Sequence, residues 1–324
     1  MGQSVTARAH TNIALVKYWG KQNPTLIIPY NSSLSMTLDH FYTDTTVHFS
    51  TDLTADQIMF NHQPADAKTA KQMSQFLDLI RQRAHLPLFA AVETMNHVPN
   101  AAGLASSASG YAALAAAGAR AAGLTLNKRD LSRLARRGSG SATRSIYGGF
   151  VEWQRGTNDI DSYAIPVQEF VDWDIQMIAI VLNDRPKSIT SRTGMANTVA
   201  TSPYFSAWVK TAQAMIPEMK AAIVKKDINL VGRLAEQSAM QMHATTLSAV
   251  PPFTYFEPET LQAIKVVQTL RQQGVSCYYT MDAGPNVKVI CTSRETPQIL
   301  AALAPYFSPE QLLVAQSGPG VSYR

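Results

Sequence analysis

The stretch Pro99-Asn100-Ala101-Ala102-Gly103-Leu104-Ala105-Ser106-Ser107-Ala108-Ser109-Gly110 decides how the chain is read. A β-rich segment, Phe89–Met95, runs into it. An Ala-rich helix, about Ser107–Ala122, leaves it and is closed by Gly123. Gly103 permits close backbone approach, and Ser106 and Ser107 supply hydroxyls. The first turn of a helix presents N–H groups that lack an internal partner, equivalent to about half a positive charge. Such a loop suits a polyphosphate. It is not a Walker A loop, because no Gly-Lys-Ser/Thr follows. Taken alone, the same residues equally suit a small-residue turn that caps a packed helix.

Upstream, Val5–His10, Ser33–Leu38, Thr43–Ser50 and Gln57–His62 read as short strands. Ala65–His85 reads as a helix with Met73, Phe76, Leu77 and Ile80 on one face. Downstream, Asn127 caps a helix whose apolar stripe is Leu131, Leu134 and Ala135. Strands follow at Gly149–Gln154 and Ile175–Leu182. The second half is more helical. Tyr204–Lys226 is expected to bend or break at Pro217, Asn229–Thr245 follows, and Glu259–Gln273 lies between Pro258 and Gly274. Val275–Met281 and Asn286–Thr292 flank Asp282-Ala283-Gly284-Pro285 as a hairpin. Thr296–Ala304 reads as a helix and Leu312–Gln316 as a last strand. The pattern predicts a mixed α/β chain of two domains, 1–183 and 184–324, with a boundary near Asn183.

Of the 324 residues, 16% are charged and 46% hydrophobic. Charge is sparse against about 25% in an average soluble domain, and the apolar content suffices for a large core. An acidic disordered chain is excluded. The longest strongly apolar run, Met177–Leu182, falls far short of the ~20 residues of a membrane span, and no signal peptide is expected. Gly2 opens a superficial myristoylation pattern, set against a strand beginning at Val5. Two cysteines without a CxxC, and scattered histidines, argue against a zinc site or disulfide scaffold and fit the cytoplasm. The net charge of +5 has a location: Lys128–Arg144 carries six basic residues and one acid, which accounts for the whole excess.

Four further motifs carry chemistry. Gly138–Gly149, GSGSATRSIYGG, offers the hydroxyls of Ser139 and Ser141 and the planar fork of Arg144, which fits a carboxylate or phosphate. Its Gly-Ser-Gly is also a fragment of a dinucleotide fingerprint, without the third glycine. His10–Lys21, HTNIALVKYWGK, places Lys17, Tyr18 and Lys21 together, with Asn12 upstream; Ile13, Leu15, Val16 and Trp19 suit a core. Arg185–Met195, RPKSITSRTGM, reads as a polar loop. Asp282 follows a strand, as a turn residue or as a lone carboxylate base.

The runs KYWGK, GLASSASGYAAL, GSGSATRS, SRTGM and MDAGPNVK resemble the diphosphomevalonate decarboxylase family, in order and over essentially the whole chain. That family lies within the galacto-/homoserine/mevalonate/phosphomevalonate (GHMP) kinase superfamily. The resemblance implies that superfamily's N-terminal α/β domain and a ferredoxin-like C-terminal domain. It implies ATP and Mg²⁺, a cytoplasmic homodimer, and conversion of (R)-5-diphosphomevalonate to isopentenyl diphosphate, ADP, phosphate and CO₂. Carried over by motif, Asp282, Lys17 and Arg144 are catalytic. Tyr18, Lys21, Ser139, Ser141, Ser191, Arg192 and Met195 join Arg144 around the substrate. Ala102, Gly103, Leu104, Ala105, Ser106 and Ser107 form the ATP phosphate loop, with Ser106 or Ser107 on Mg²⁺. Asn96 falls near the adenine and Lys187 in a loop that closes on ATP. Many superfamily kinases place an acid within the second Gly-Ser stretch; Gly138–Ser145 has none, which leaves Asp282 as the base.

The rivals are a kinase that stops at 3-phosphorylation, a decarboxylase of the monophosphate, and a nucleic-acid-binding module on the basic helix Lys128–Arg137. The last lacks interleaved aromatics or a known binding motif.

Overall fold

The computed structural model describes residues 3–97, 106–182 and 189–324, and of Ser106 the backbone alone. The strands in chain order are β1 (Val5–Val16), β2 (Lys21–Asn23), β3 (Ile28–Pro29), β4 (Ser33–Ser50), β5 (Gln57–Phe60), β6 (Gln63–Pro64) and β7 (Phe89–Asn96). They continue with β8 (Phe150–Trp153), β9 (Ala164–Gln168), β10 (Gln176–Ile180), β11 (Tyr278–Met281), β12 (Val287–Cys291), β13 (Leu312–Gln316) and β14 (Ser322–Tyr323). The helices are α1 (Ala67–Ala84), α2 (Ser106–Ala121), α3 (Lys128–Gly138), α4 (Ser191–Thr201), α5 (Phe205–Val224), α6 (Ile228–Leu247), α7 (Pro258–Gln272) and α8 (Thr296–Leu303).

The larger sheet runs β14-β1-β4-β7-β5-β6, with β8 paired to β4 and β9 to β8. One face packs against α1, α2 and α3, where Met73, Phe76, Leu77 and Ile80 are buried as their spacing predicts. The alanines of α2 let that helix lie close to β1 and β4; Ala112, Ala113 and Ala115–Ala117 are fully buried. The smaller sheet has the order β11-β12-β10-β13, all antiparallel. Its strands, with α4–α7 between the first and second and α8 between the third and fourth, form the ferredoxin-like arrangement. Its first strand, β10, lies ahead of Asn183, and β14 returns to the larger sheet.

Between the sheets lies a shared core. Period-2 alternation sends Met177 and Ala179 of β10 into it, while Ile178 and Ile180 face α7 and α8. In β1, Val5, Ala7 and Ala9 face the helices α1–α3, but Ile13 and Leu15 face the shared core. A register shift between His10 and Asn12 explains the reversal, since an odd slip turns every later side chain to the opposite face. The strand predicted to end at His10 therefore continues to Val16 and presents Asn12 and Ala14 on the side where the 3₁₀ helix Gly140–Ile146 packs.

Pro217 does not break α5. The helix is continuous, with Phe205, Trp208, Ala212 and Met215 buried before the proline and Met219, Ala222 and Ile223 after it. A mid-helix proline costs about 3 kcal/mol. Burying the stripe on both sides outweighs that cost at about 1.5–3 kcal/mol per large apolar side chain.

Gly149 secures the end of β8. Its φ is +65°, its N–H donates to Gly318 O at 3.0 Å, and an added Cβ would fall 2.0 Å from Gln168 O. We expect Gly149→Ala to destabilise the fold by about 2–4 kcal/mol, through left-handed strain plus a backbone clash. The urea midpoint checks this.

Candidate active site

The shift in β1 builds one wall of a cavity between the two sheets. Asn12 donates through Nδ2 to Ser141 O at 3.0 Å and to Ser145 Oγ at 2.8 Å, and its Oδ1 accepts from Arg144 Nε at 3.2 Å. Arg144 also donates to Ser33 Oγ. These partners fix a guanidinium that is 2% exposed and forms no ion pair with a carboxylate among the described residues. Burial lowers its pKa to about 10, and Asp282 opposes that effect. A buried cation held by neutral groups is prepared for an anion from outside.

Lys17 follows β1 and is anchored by its backbone, N–H to Ser238 Oγ at 3.0 Å and C=O from Asn31 Nδ2 at 2.9 Å. Its Nζ reaches Ala14 O and Asp282 Oδ1, both at 2.8 Å. Burial lowers the ammonium pKa, against the pull of Asp282. Asp282 ends β11, in a turn tied by Gly284 N–H to Asp282 O, Thr260 Oγ1 to Pro285 O and Leu182 N–H to Asn286 Oδ1. Lys17 is 1% exposed and the Asp282 side chain 26%; both line the cavity, and the carboxylate is the more open of the two.

Around this pair the cavity gathers Tyr18, Lys21, Ser107, Ser139, Ser141, Ser191, Arg192 and Met195. Ser139 Oγ donates to Ser107 Oγ at 3.3 Å and lies 3.2 Å from Ser141 Oγ, so one hydroxyl cluster joins the start of α2 to the 3₁₀ helix. Burial lowers the Lys21 pKa and Arg192 lowers it further; two neighbouring cations favour an anion between them. The buried Tyr18 hydroxyl has no hydrogen-bond partner among the described residues, and burial raises its pKa well above the usual phenol range. It stays a neutral donor. Ser191 and Arg192 open α4, whose N-cap Thr190 accepts from Thr193 N–H.

Asn96 lines a neighbouring cavity with Phe60, Asn61, Met73, Thr94 and Leu114, which meets the first at Gln72, Ser107 and Tyr111. Thr43 Oγ1 donates to Asn96 Oδ1 at 3.2 Å. The Pro99–Ala105 part of the loop, with Ala102, Gly103 and Leu104, lies outside the described residues, as do Lys187 and the side chain of Ser106. No group of three His, Cys, Asp or Glu could hold a metal among the described residues. The Ser107 hydroxyl lines the first cavity, where it could supply an oxygen to a magnesium ion held mainly by phosphates.

Two family models cover the chain: a diphosphomevalonate decarboxylase-like N-terminal domain matches residues 9–164, and a mevalonate 5-diphosphate decarboxylase C-terminal domain matches 177–319. The chain belongs to the diphosphomevalonate decarboxylase family. It is 38% identical to the diphosphomevalonate decarboxylase of Bos taurus, over 94% of this chain and 81% of that protein. The mevalonate diphosphate decarboxylase structure from Staphylococcus aureus superposes with a TM-score of 0.96 at 44% identity, covering 100% of this chain and 98% of that one. A complex of MDDEF with MVAPP, AMPPCP and magnesium gives a TM-score of 0.95 at 48% identity, covering 100% and 99%. The fold is thus the family's GHMP kinase type, and the chain is an enzyme of this decarboxylase class.

Sequence reasoning named Asn12 without a role and missed Ser33, Ser145, Gln72 and Tyr111. Ser33 lies outside every motif, Ser145 only ends the run GSGSATRS, and Gln72 is a polar residue on an otherwise ordinary amphipathic helix. Gly140 matters sterically, because an added Cβ would lie 2.8 Å from the Tyr18 ring and 2.9 Å from Trp153. Gly140→Ala should displace Tyr18 and weaken inorganic pyrophosphate binding by about tenfold, the worth of one hydrogen bond to a charged group. Calorimetric titration of the folded variant tests this.

Proposed function

We propose that this protein carries out the ATP-dependent decarboxylation of (R)-5-diphosphomevalonate to isopentenyl diphosphate, with Asp282, Lys17 and Arg144 as the catalytic group. The observation that carries the assignment of roles is the Lys17–Asp282 pair at 2.8 Å, in a cavity that also holds Arg144. The substrate's tertiary 3-hydroxyl is a poor leaving group. Asp282 orients it and accepts its proton as its oxygen attacks the γ-phosphorus of ATP and the bond to ADP breaks. Lys17 sits beside both the carboxylate and the phosphoryl group in flight. The C3–O bond then breaks, phosphate departs, and the tertiary carbon carries developing positive charge. The electrons of the bond to the carboxyl carbon form the new double bond as CO₂ leaves. Arg144 holds that carboxylate in line. Catalysis is positioning and electrostatics.

Lys21, Arg192, Tyr18, Ser139, Ser141 and Ser191 take the diphosphate, and Met195 lies against the substrate. The cavity bearing Asn96 takes the adenine. The phosphate loop Ala102–Ser107 and Lys187 complete the ATP site, and magnesium, held by Ser107 or Ser106, neutralises phosphate charge when bound. We read the two sheets as the cores of two domains, and the enzyme as a cytoplasmic homodimer. Free, buried Cys277 and Cys291 support a reducing compartment, and no helix among the described residues is long and apolar enough to cross a membrane. No nucleic-acid partner is proposed. The cations of α3 face acids instead: Lys128 pairs with Glu169, Arg133 with Asp130 and Asp159, and Arg136 with Asp159.

A coupled assay should release ADP and CO₂ in equal amounts from diphosphomevalonate; ADP without CO₂ would overturn the decarboxylase reading in favour of a kinase. Asp282→Ala should lower kcat by about 10²–10⁴-fold, the usual worth of a general base, while calorimetry still finds both substrates bound. Arg144→Gln should cost about 2–4 kcal/mol of transition-state stabilisation, as for other lost electrostatic contacts, read as a fall in kcat/KM.

A further inference from the structure

Strand β12 places a lysine where alternation calls for an apolar side chain. Val287, Val289 and Cys291 face α7 and α8, whereas Ile290 faces the shared core between the sheets. Lys288 is on the same side as Ile290 and is 1% exposed. It pairs across the strands with Thr280 and Ala179, in the interior of the smaller sheet. A buried ammonium needs hydrogen bonds and a counter-charge. Lys288 Nζ donates to Asn286 O at 3.2 Å and lies 3.8 Å from Asp282 Oδ2. Lys17, from the opposite sheet, holds Oδ1 at 2.8 Å. Lys17 hydrogen-bonds one oxygen of the carboxylate, and Lys288 stands within ion-pair distance of the other.

The charged and titratable groups facing Asp282 among the described residues are Lys17 from the end of β1, Lys288 from β12, Arg144 from the 3₁₀ helix and His243 from α6. Burial and the neighbouring lysines push His243 down to about 3, so it stays neutral. Lys17 and Arg144 border the cavity, while Lys288 does not.

We propose that Lys288 is a positioning residue, a second buried cation that fixes the orientation of Asp282 from behind and keeps it a carboxylate. The inference rests on Asp282 acting at the substrate hydroxyl. It assigns the two lysines different tasks. Lys17 is shared between Asp282 and the phosphoryl group, so its hold on the carboxylate changes during the reaction. Lys288 touches neither substrate and holds throughout.

Lys288→Met removes the charge and nearly keeps the volume. An opposite charge at this distance lowers a carboxylate pKa by about 1–3 units. The acid limb of the kcat/KM profile should therefore rise by about one pH unit in the variant. We expect kcat to fall by about ten- to a hundred-fold, as for a misplaced catalytic group, with little change in KM. Lys288→Arg should restore the limb and most of kcat. Where Met at this position impairs folding, Lys288→Gln supplies the same readout. Titration of the Asp282 carboxyl by ¹³C NMR, assigned by the loss of its signal in Asp282→Asn, separates this proposal from the base assignment. An upward shift on removing Lys288 supports the pairing even if Asp282→Ala proved active. A folded charge-removed variant with an unmoved Asp282 titration would overturn it.

Discussion

The ion pair between Lys17 and Asp282 is the interaction on which the site depends. Its members come from different sheets, more than 260 residues apart in the chain. Neither sheet alone makes a site. β1 must shift its register, α6 must anchor Lys17 through Ser238, and β11 must end in a turn held by Thr260 and Asn286. Most of this framework uses neutral hydrogen bonds. The cations in the cavity thereby keep their charge for phosphate and carboxylate groups that arrive with the substrates.

Much of this was legible in the sequence because its signals are local. Amphipathic stripes gave α1 and α3, a Pro–Gly bracket gave α7, and the motif runs named most of the cavity-lining polar residues. What escaped depends on tertiary context. Nothing in HTNIALV announces a register shift, and the odd-numbered apolar residues of β1, Ala7 and Ala9 with Ile13 and Leu15, read as one face although they serve two cores. Pro217 reads as a break because its local cost is visible in the sequence, while the packing that offsets it is not. Lys288 sits in VKVIC, where a single lysine in a strand reads as an exposed edge position. Only the strand order shows it to be central and buried.

The charge distribution changed meaning in a similar way. The excess of basic residues in Lys128–Arg144 is real, yet Lys128, Arg133, Arg136 and Arg137 are joined to Asp130, Asp159 and Glu169. Arg136, fully buried, also donates to Leu26 O at 3.0 Å, in the hairpin that begins with Lys21. The basic helix thus braces the segments around the cavity, and of the cluster's cations Arg144 is the one that lines it.

The core between the sheets has a consequence for how the molecule comes apart. α5 and α6 bury apolar residues against β1 and β4 on one side and β10–β12 on the other. Separating the halves would strand that surface in water, so neither half gains a refuge by unfolding after the other. A protein with two sheets is thereby expected to melt in a single cooperative transition. The same sharing discourages exchange of either half between relatives, because the helices between the sheets must suit both at once.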